Sequence, residues 1–326
     1  MWPAVAALCG GFILLAWGAN RLVFGASAVA RALGVPPLLI GLSVVGLGSA
    51  SPVLLVAVVA SWHGNAALAL GTAVGSSITN IALVLGAAAL VRPLEVNSRL
   101  LRWEMPLLLV AMLISLMLMI DFSLDLSDGL MLWSGLLLIM ACLLSVGHHS
   151  TTADEPMTRE FAAEMPPAMP VARALAWLAG GLVMALTAAV LVVWSGIELA
   201  RMAVISDTVL GLTVIAFGSC LPLLVISITG VLRKEYDIVV GNVLTATMFN
   251  LLAVLAVPGM AGPADVDPDL VTYYYPVMMS LAAVVWLMAS GGRGAGAGRI
   301  SRIGGLGVLA IYAGYLLFLY RITLQA

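Results

Sequence analysis

The chain has 326 residues, 63% of them hydrophobic and only 9% charged, with a formal net charge of −2. Soluble domains carry about 25% charged residues, so a chain this apolar cannot clothe a water-facing surface, and a soluble enzyme is excluded. The charge balance also leaves no basic face for nucleic acid.

Taken from the N-terminus, unbroken apolar runs predict ten membrane-spanning helices. They centre on 4–28, 36–61, 66–90, 103–120, 127–147, 172–200, 207–231, 237–258, 270–290 and 303–321. A helix needs roughly 20 apolar residues to cross the hydrocarbon core, whereas an outer-membrane strand alternates apolar and polar positions with period two. The first run has no basic segment ahead of it and reads as a retained helix, not a cleaved leader. One longer polar stretch, 148–170, is rich in Thr, Glu and Pro. It separates a first five-helix unit at 1–147 from a second at 171–326.

Lys and Arg set the expected orientation, because cytoplasmic loops retain positive charge. Twelve of the fourteen basic residues fall on the odd-numbered connections: Arg21, Arg31, Arg92, Arg99, Arg102, Arg159, Arg173, Arg233, Lys234, Arg293, Arg299 and Arg302. The opposite side holds Arg201 and Arg321 beside Asp121, Asp125, Asp128, Asp265, Asp267 and Asp269. Both termini are therefore expected outside and the 148–170 loop in the cytoplasm, in a multi-pass protein of a bacterial inner membrane. The lipid bilayer is its first partner.

Isolated reactive side chains have ordinary readings. Cys9, Cys142 and Cys220 lack metal or disulfide spacing and read as small buried hydrophobes. Glu198 and Arg201 form an i,i+3 pair on one helix face. Glu104 opens the fourth span as an interfacial anchor beside Arg102 and Trp103, and His63 sits beside Trp62 in a turn. Asn20 reads as a helix–helix hydrogen-bond partner, and the Gly-rich Arg293–Arg302 run as a flexible basic loop at the lipid surface. No nucleotide loop, zinc motif or Ser/His/Asp spacing is present, so neither cofactor nor enzyme chemistry is expected.

The chain repeats itself. Gly41–Gly86 aligns without a gap to Gly211–Ala256 at an offset of 170, with matched Gly48/Gly218, Ser49/Ser219, Pro52/Pro222, Gly71/Gly241 and Asn80/Asn250. The copies begin on spans two and seven. Five crossings separate them, so they enter the membrane from opposite sides. Inverted repeats with Gly/Pro-interrupted helices are a signature of secondary transporters whose site lies near the bilayer midplane. Each proline removes a backbone donor, and the carbonyls so freed are tolerated in lipid only where they line a cavity.

These two segments resemble the calcium/cation antiporter superfamily, the sodium/calcium exchangers and their bacterial relatives. The resemblance rests on Gly211–Ser219, on Gly241-Asn242-Val243 and Phe249-Asn250, and more loosely on Gly41-Leu42-Ser43 and Gly75–Asn80. It implies spans two, three, seven and eight as an ion-binding core, with spans one and six sliding against it. It also implies a ligating glutamate after each motif proline. Here those positions are Val53 and Leu223.

Calcium takes 6–8 oxygen ligands and normally needs carboxylates. A site of neutral dipoles does not repay the dehydration of a divalent ion. The expected function is a secondary transporter with a neutral midplane site suited to sodium, another monovalent ion, or a small neutral or anionic solute, and ill suited to calcium. Its expected ligands are the side chains of Ser49, Ser76, Asn80, Ser219, Thr247 and Asn250. Carbonyls near Gly46, Gly48, Ala216 and Gly218, at the helix breaks of Pro52 and Pro222, complete the set. The competing reading is a non-transporting relative that serves as a membrane scaffold or sensor.

Overall fold

The computed structural model describes residues 2–35, 40, 46–96, 99–149, 167, 169–290 and 298–325. The 148–170 loop therefore lies almost wholly outside the described residues. Ten helical segments run in chain order: α1 Trp2–Ala32, α2 Gly46–Trp62, α3 Ala66–Val91, α4 Arg99–Leu118 and α5 Leu126–His149 in the first half. The second half has α6 Val171–Ala203, α7 Asp207–Arg233, α8 Tyr236–Ala261, α9 Leu270–Ala289 and α10 Arg302–Gln325. Among the described residues, seven are long and apolar enough to cross a membrane, and α2, α4 and α5 supply shorter apolar helices. This is an all-α multi-pass membrane protein, with a helix at each span expected from sequence.

The centre consists of α2, α3, α7 and α8, which pack on one another. Their burial separates them from the other helices: the most apolar stretch of α8 is wholly buried, whereas that of α1 or α6 is one-third buried. The crossing of α3 and α7 is close enough to require glycine. A Cβ on Gly211 would stand 2.6 Å from the Leu68 carbonyl oxygen. The starts of the same two helices are tied together. Asn65 caps α3 by accepting from Leu68 N at 3.0 Å, and its Nδ2 donates to Asp207 on α7 at 2.9 Å.

Outside this core, α1 and α6 lie along each other. At 31 and 33 residues they are about 46 and 50 Å long, more than a perpendicular crossing of a roughly 30 Å core requires. Small residues let them touch: a Cβ on Gly18 would meet Ala185 N at 2.7 Å. Near one end the Arg21 guanidinium lies over the Trp177 ring at 4.8 Å and the Trp17 ring at 5.7 Å, a cation–π contact that joins the pair.

Two short ribbons, not anticipated from sequence, brace opposite ends. β1 Leu94–Val96 pairs antiparallel with β4 Gly298–Ile300, and β2 Ser123–Leu124 pairs with β3 Ala264–Asp265. Part of the expected Arg293–Arg302 loop is thus strand, with Arg299 opposite Glu95, and Arg302 already opens α10. Leu94 and Glu95 stand 170 positions before Ala264 and Asp265, so β1 and β3 are equivalent strands on opposite ends of the bundle. Two five-residue π-turns follow the same rule, whereas that at Leu270–Tyr274 falls opposite plain α-helix in α4. One begins at Asn80 in α3, the other at Asn250 in α8, and the two helices run in opposite directions. The inverted repeat is therefore present in three dimensions.

Candidate functional site

Ser76 on α3 and Ser219 on α7, both buried, bring their hydroxyls to 3.2 Å. Ser219 Oγ also donates to the Ala216 carbonyl at 3.1 Å, and the neighbouring Cys220 thiol approaches the Ser76 carbonyl at 3.6 Å. Beside them Thr79 Oγ1 lies 3.3 Å from the Tyr312 hydroxyl of α10. Tyr312 stacks on Tyr315, whose ring meets Tyr274 of α9 edge-on. A cluster of hydroxyls and one thiol thus joins α3, α7 and α10 without a charged member.

The two motif asparagines are buried, Asn80 at 2% exposure and Asn250 at 0%. Neither Asn80 Oδ1 nor either amide atom of Asn250 has a hydrogen-bond partner among the described residues. Buried amide atoms rarely remain unpaired without a reason. Each asparagine opens a π-turn, in which the Leu255 amide donates to the Asn250 carbonyl at 3.0 Å, five residues back. Such turns widen a helix locally and recur at functional sites. The turn at Asn80 packs against α7 and α8, and the turn at Asn250 against α2 and α3.

Several expected ligands have different settings. Thr247 is buried, but its hydroxyl donates to the Val243 carbonyl at 2.8 Å within its own helix. Its partner by the 170 offset is Ser77, which donates to Ala73 in the same way at 2.8 Å; backbone carbonyls four residues back are the default acceptors for helical Ser and Thr. The Ser49 side chain lies outside the described residues. The helices do not break at proline. α2 continues through Pro52 and α7 through Pro222, and the irregularity in α7 is a π-turn over Gly211–Ile215. Each proline still lacks the N–H that would serve the carbonyl four residues back. At Gly48 the Ser51 hydroxyl fills that role at 2.7 Å, and at Gly218 the position equivalent to Ser51 is Leu221. Val53 and Leu223 are each 2% exposed and belong to the apolar core.

An apolar groove of about 980 Å³ runs beside this cluster, between α1, α7 and α10, and Tyr312 and Gly218 line it together with Phe12, Asn20 and Thr213. The Phe12 ring lies so close over Gly218 that a Cβ there would overlap it, and Val23 covers Gly48 likewise. One helix, α1, therefore covers both motif glycines. Asn20 is exposed in this groove, and Cys9 is exposed as well, with Cys142 half-buried and Cys220 alone enclosed. A lipid-facing position suits a small apolar side chain as well as a buried one does, so the sequence could not tell these cysteines apart. At the other end of α7 lies a polar cavity of about 970 Å³, lined by His63, Asn65, Arg201, Asp207 and Asp265 among others.

Sequence reasoning missed Tyr312 and Cys220. The signal available was the placement of Tyr274, Tyr275, Tyr312 and Tyr315 deep inside apolar runs, since a buried tyrosine normally finds a partner for its hydroxyl. Tyr275 does so by donating to the Met112 carbonyl at 2.8 Å.

A family model described as sodium/calcium exchanger protein matches residues 3–148 and 173–321. The chain belongs to that family. Among its relatives, the putative antiporter CaxA of Alkalimonas amylolytica is 37% identical over 310 residues, 95% of this chain and 96% of that protein. The inner membrane protein YrbG of Escherichia coli is 38% identical over 292 residues, 88% and 89% of the two chains. The sodium/calcium exchanger MaX1 of Methanosarcina acetivorans is 25% identical over 348 residues, 96% and 97% of the two. Among solved structures, the sodium–calcium exchanger NCX_Mj superposes with a TM-score of 0.66 at 26% identity, covering 96% of this chain and 98% of that one.

Proposed function

We propose that this chain is a secondary active transporter that carries sodium, or another monovalent cation, through a neutral midplane site by alternating access. The observation that supports it most is the Ser76–Ser219 hydroxyl pair in a core that also encloses the Asn80 amide oxygen and the Asn250 amide, unpartnered among the described residues. Hydroxyl and amide oxygens are hard ligands of the kind alkali cations accept, and a single charge is cheaper to dehydrate than a double one. The Gly218 carbonyl, which Pro222 cannot serve, supplies a further oxygen. The carbonyls near Gly46, Gly48 and Ala216 and the hydroxyls of Ser49 and Thr247 belong to the same candidate set.

Access would alternate as the paired helices α1 and α6 shift against α2, α3, α7 and α8, uncovering Gly218 from Phe12 on one face and Gly48 from Val23 on the other. The arginine-rich end, which carries Arg92, Arg99, Arg102, Arg233, Lys234 and Arg299, is the cytoplasmic one by the positive-inside rule. Both termini are then outside, and 148–170 is a cytoplasmic loop joining repeats at 1–147 and 171–326. The naming of YrbG as an inner membrane protein supports the same location here.

Purified protein in sealed liposomes, tested with radiolabelled sodium, calcium and a panel of small solutes, tests this reading. Saturable sodium flux that falls in Ser219→Ala supports it. Robust calcium uptake overturns the neutral-site argument. Flux of no solute at all favours a scaffold or sensor.

A further inference from the structure

The charge missing from the centre of the molecule reappears at its arginine-rich end. Among the described residues two carboxyl side chains are buried: Glu104, at 0% exposure in the second turn of α4, and Asp237, at 3% in the first turn of α8. Glu104 is not the water-facing interfacial anchor expected from sequence. Both of its carboxyl oxygens are enclosed, and neither has a hydrogen-bond partner among the described residues. The two helices pack side by side and set both acids at this end of the bundle. By position in the chain, the other titratable residues at this end of the elements around α4 are the capping Glu235, half-buried with one enclosed carboxyl oxygen, and Tyr236 on α8, His148 and His149 on α5, and Arg99 and Arg102 on α4 itself. The last turn of α9 and the π-turn of α8 carry none.

We propose that Glu104 carries a bound proton and, with Asp237 on the neighbouring helix, forms a proton-binding site at the arginine-rich mouth of α8. A carboxylate enclosed without a partner is among the costliest arrangements in a protein or a bilayer, and uptake of a proton removes that cost. A second carboxyl on the packed helix adds repulsion, which a proton on Glu104 relieves. A metal ion fits less well, because a side chain with no exposed surface leaves no room for several further oxygen ligands. The unpartnered oxygens place the proton on Glu104. Asn250 lies on the same helix, about 20 Å farther along at 1.5 Å per residue, so α8 joins this site to the candidate cation site.

Infrared difference spectroscopy of the purified full-length protein across a pH titration tests the proposal by reading the C=O stretch of a protonated carboxyl. The wild type is expected to show such a band, lost as the pH is raised. Glu104→Gln should lack it. Asp237→Asn should keep it but lose it about one pH unit lower, a tenfold drop in proton affinity once the repelling charge is gone. Should Glu104→Gln fail to fold, Asp237→Asn decides alone, since it leaves Glu104 in place. A band unchanged in Glu104→Gln, or an Asp237→Asn protein that titrates as the wild type does, overturns the assignment. The readout is proton binding itself, so it stands or falls independently of whether sodium crosses the membrane.

Discussion

Introducing at Val53 and Leu223 the glutamates that the family resemblance implies is the most searching perturbation of the central site. Val53 and Leu223 are each 2% exposed in the apolar core, so a single Val53→Glu or Leu223→Glu places a carboxyl where nothing pairs with it. Insertion scales put an acidic side chain at the bilayer centre at roughly 2.5–3.5 kcal/mol, and each single variant should melt below the wild type. The double variant adds up to four carboxylate oxygens to the hydroxyls of Ser76 and Ser219 and the amide oxygens of Asn80 and Asn250. That set reaches the 6–8 ligands calcium requires. Calcium at a hundredfold excess over its dissociation constant would then return about 2.7 kcal/mol, close to the cost of one unpaired carboxyl. Thermal unfolding in detergent, with and without calcium, reads this directly: no calcium shift in the wild type, little in either single variant, and a clear recovery in the double. Equal stabilisation of the wild type would show that the native site already has its charge elsewhere. A folded double variant that ignores calcium would show that the cavity has been reshaped, and the ligand count would be wrong.

Three further outcomes are expected. Ser219→Ala removes one member of the 3.2 Å hydroxyl pair and strands the other; it should lower stability by about 1 kcal/mol, read by thermal unfolding, together with its loss of sodium flux. Cys220 is enclosed at 3% exposure while Cys9 is exposed, so a membrane-permeant maleimide should modify Cys9 and spare Cys220 in the wild type. Tyr312→Ala, by opening the groove toward the cluster, should make Cys220 reactive, as peptide mass analysis would show. At the aspartate-rich end Asp125 caps α5 and exchanges hydrogen bonds with Ser127 and Asp128, and the Ser127 hydroxyl holds its carboxyl below the usual carboxylate range. A lowered value means that this contribution is complete above the unfolded value of about 3.9 and fades as the pH falls through the folded one. Asp125→Asn should therefore lower the melting temperature at neutral pH and leave it less sensitive to acid.

The ten spans, the opposed halves and the family were legible in the residues themselves. Apolar runs report length across a bilayer whatever they pack against, and the gapless 170 offset places Asn80 and Asn250 at equivalent points before any coordinate is known. Ser219 followed from that offset, as the partner of Ser49, and Ser76 from the resemblance at Gly75–Asn80; the hydroxyls of Ser76 and Ser219 meet. What sequence could not supply was lateral position. In a bilayer, lipid and protein neighbours are both apolar, so a run of Leu and Val does not say which face meets which helix. Only packing placed Tyr312 of the tenth span against Thr79, set Cys220 beside the serines, and turned Cys9 outward. Only packing enclosed Glu104 against α8 instead of leaving it at the water interface. The π-turns at the two asparagines and the ribbons that tie distant loops had no local signal either, because both arise from contacts between segments far apart in the chain, and such contacts exist only once the helices have chosen their neighbours.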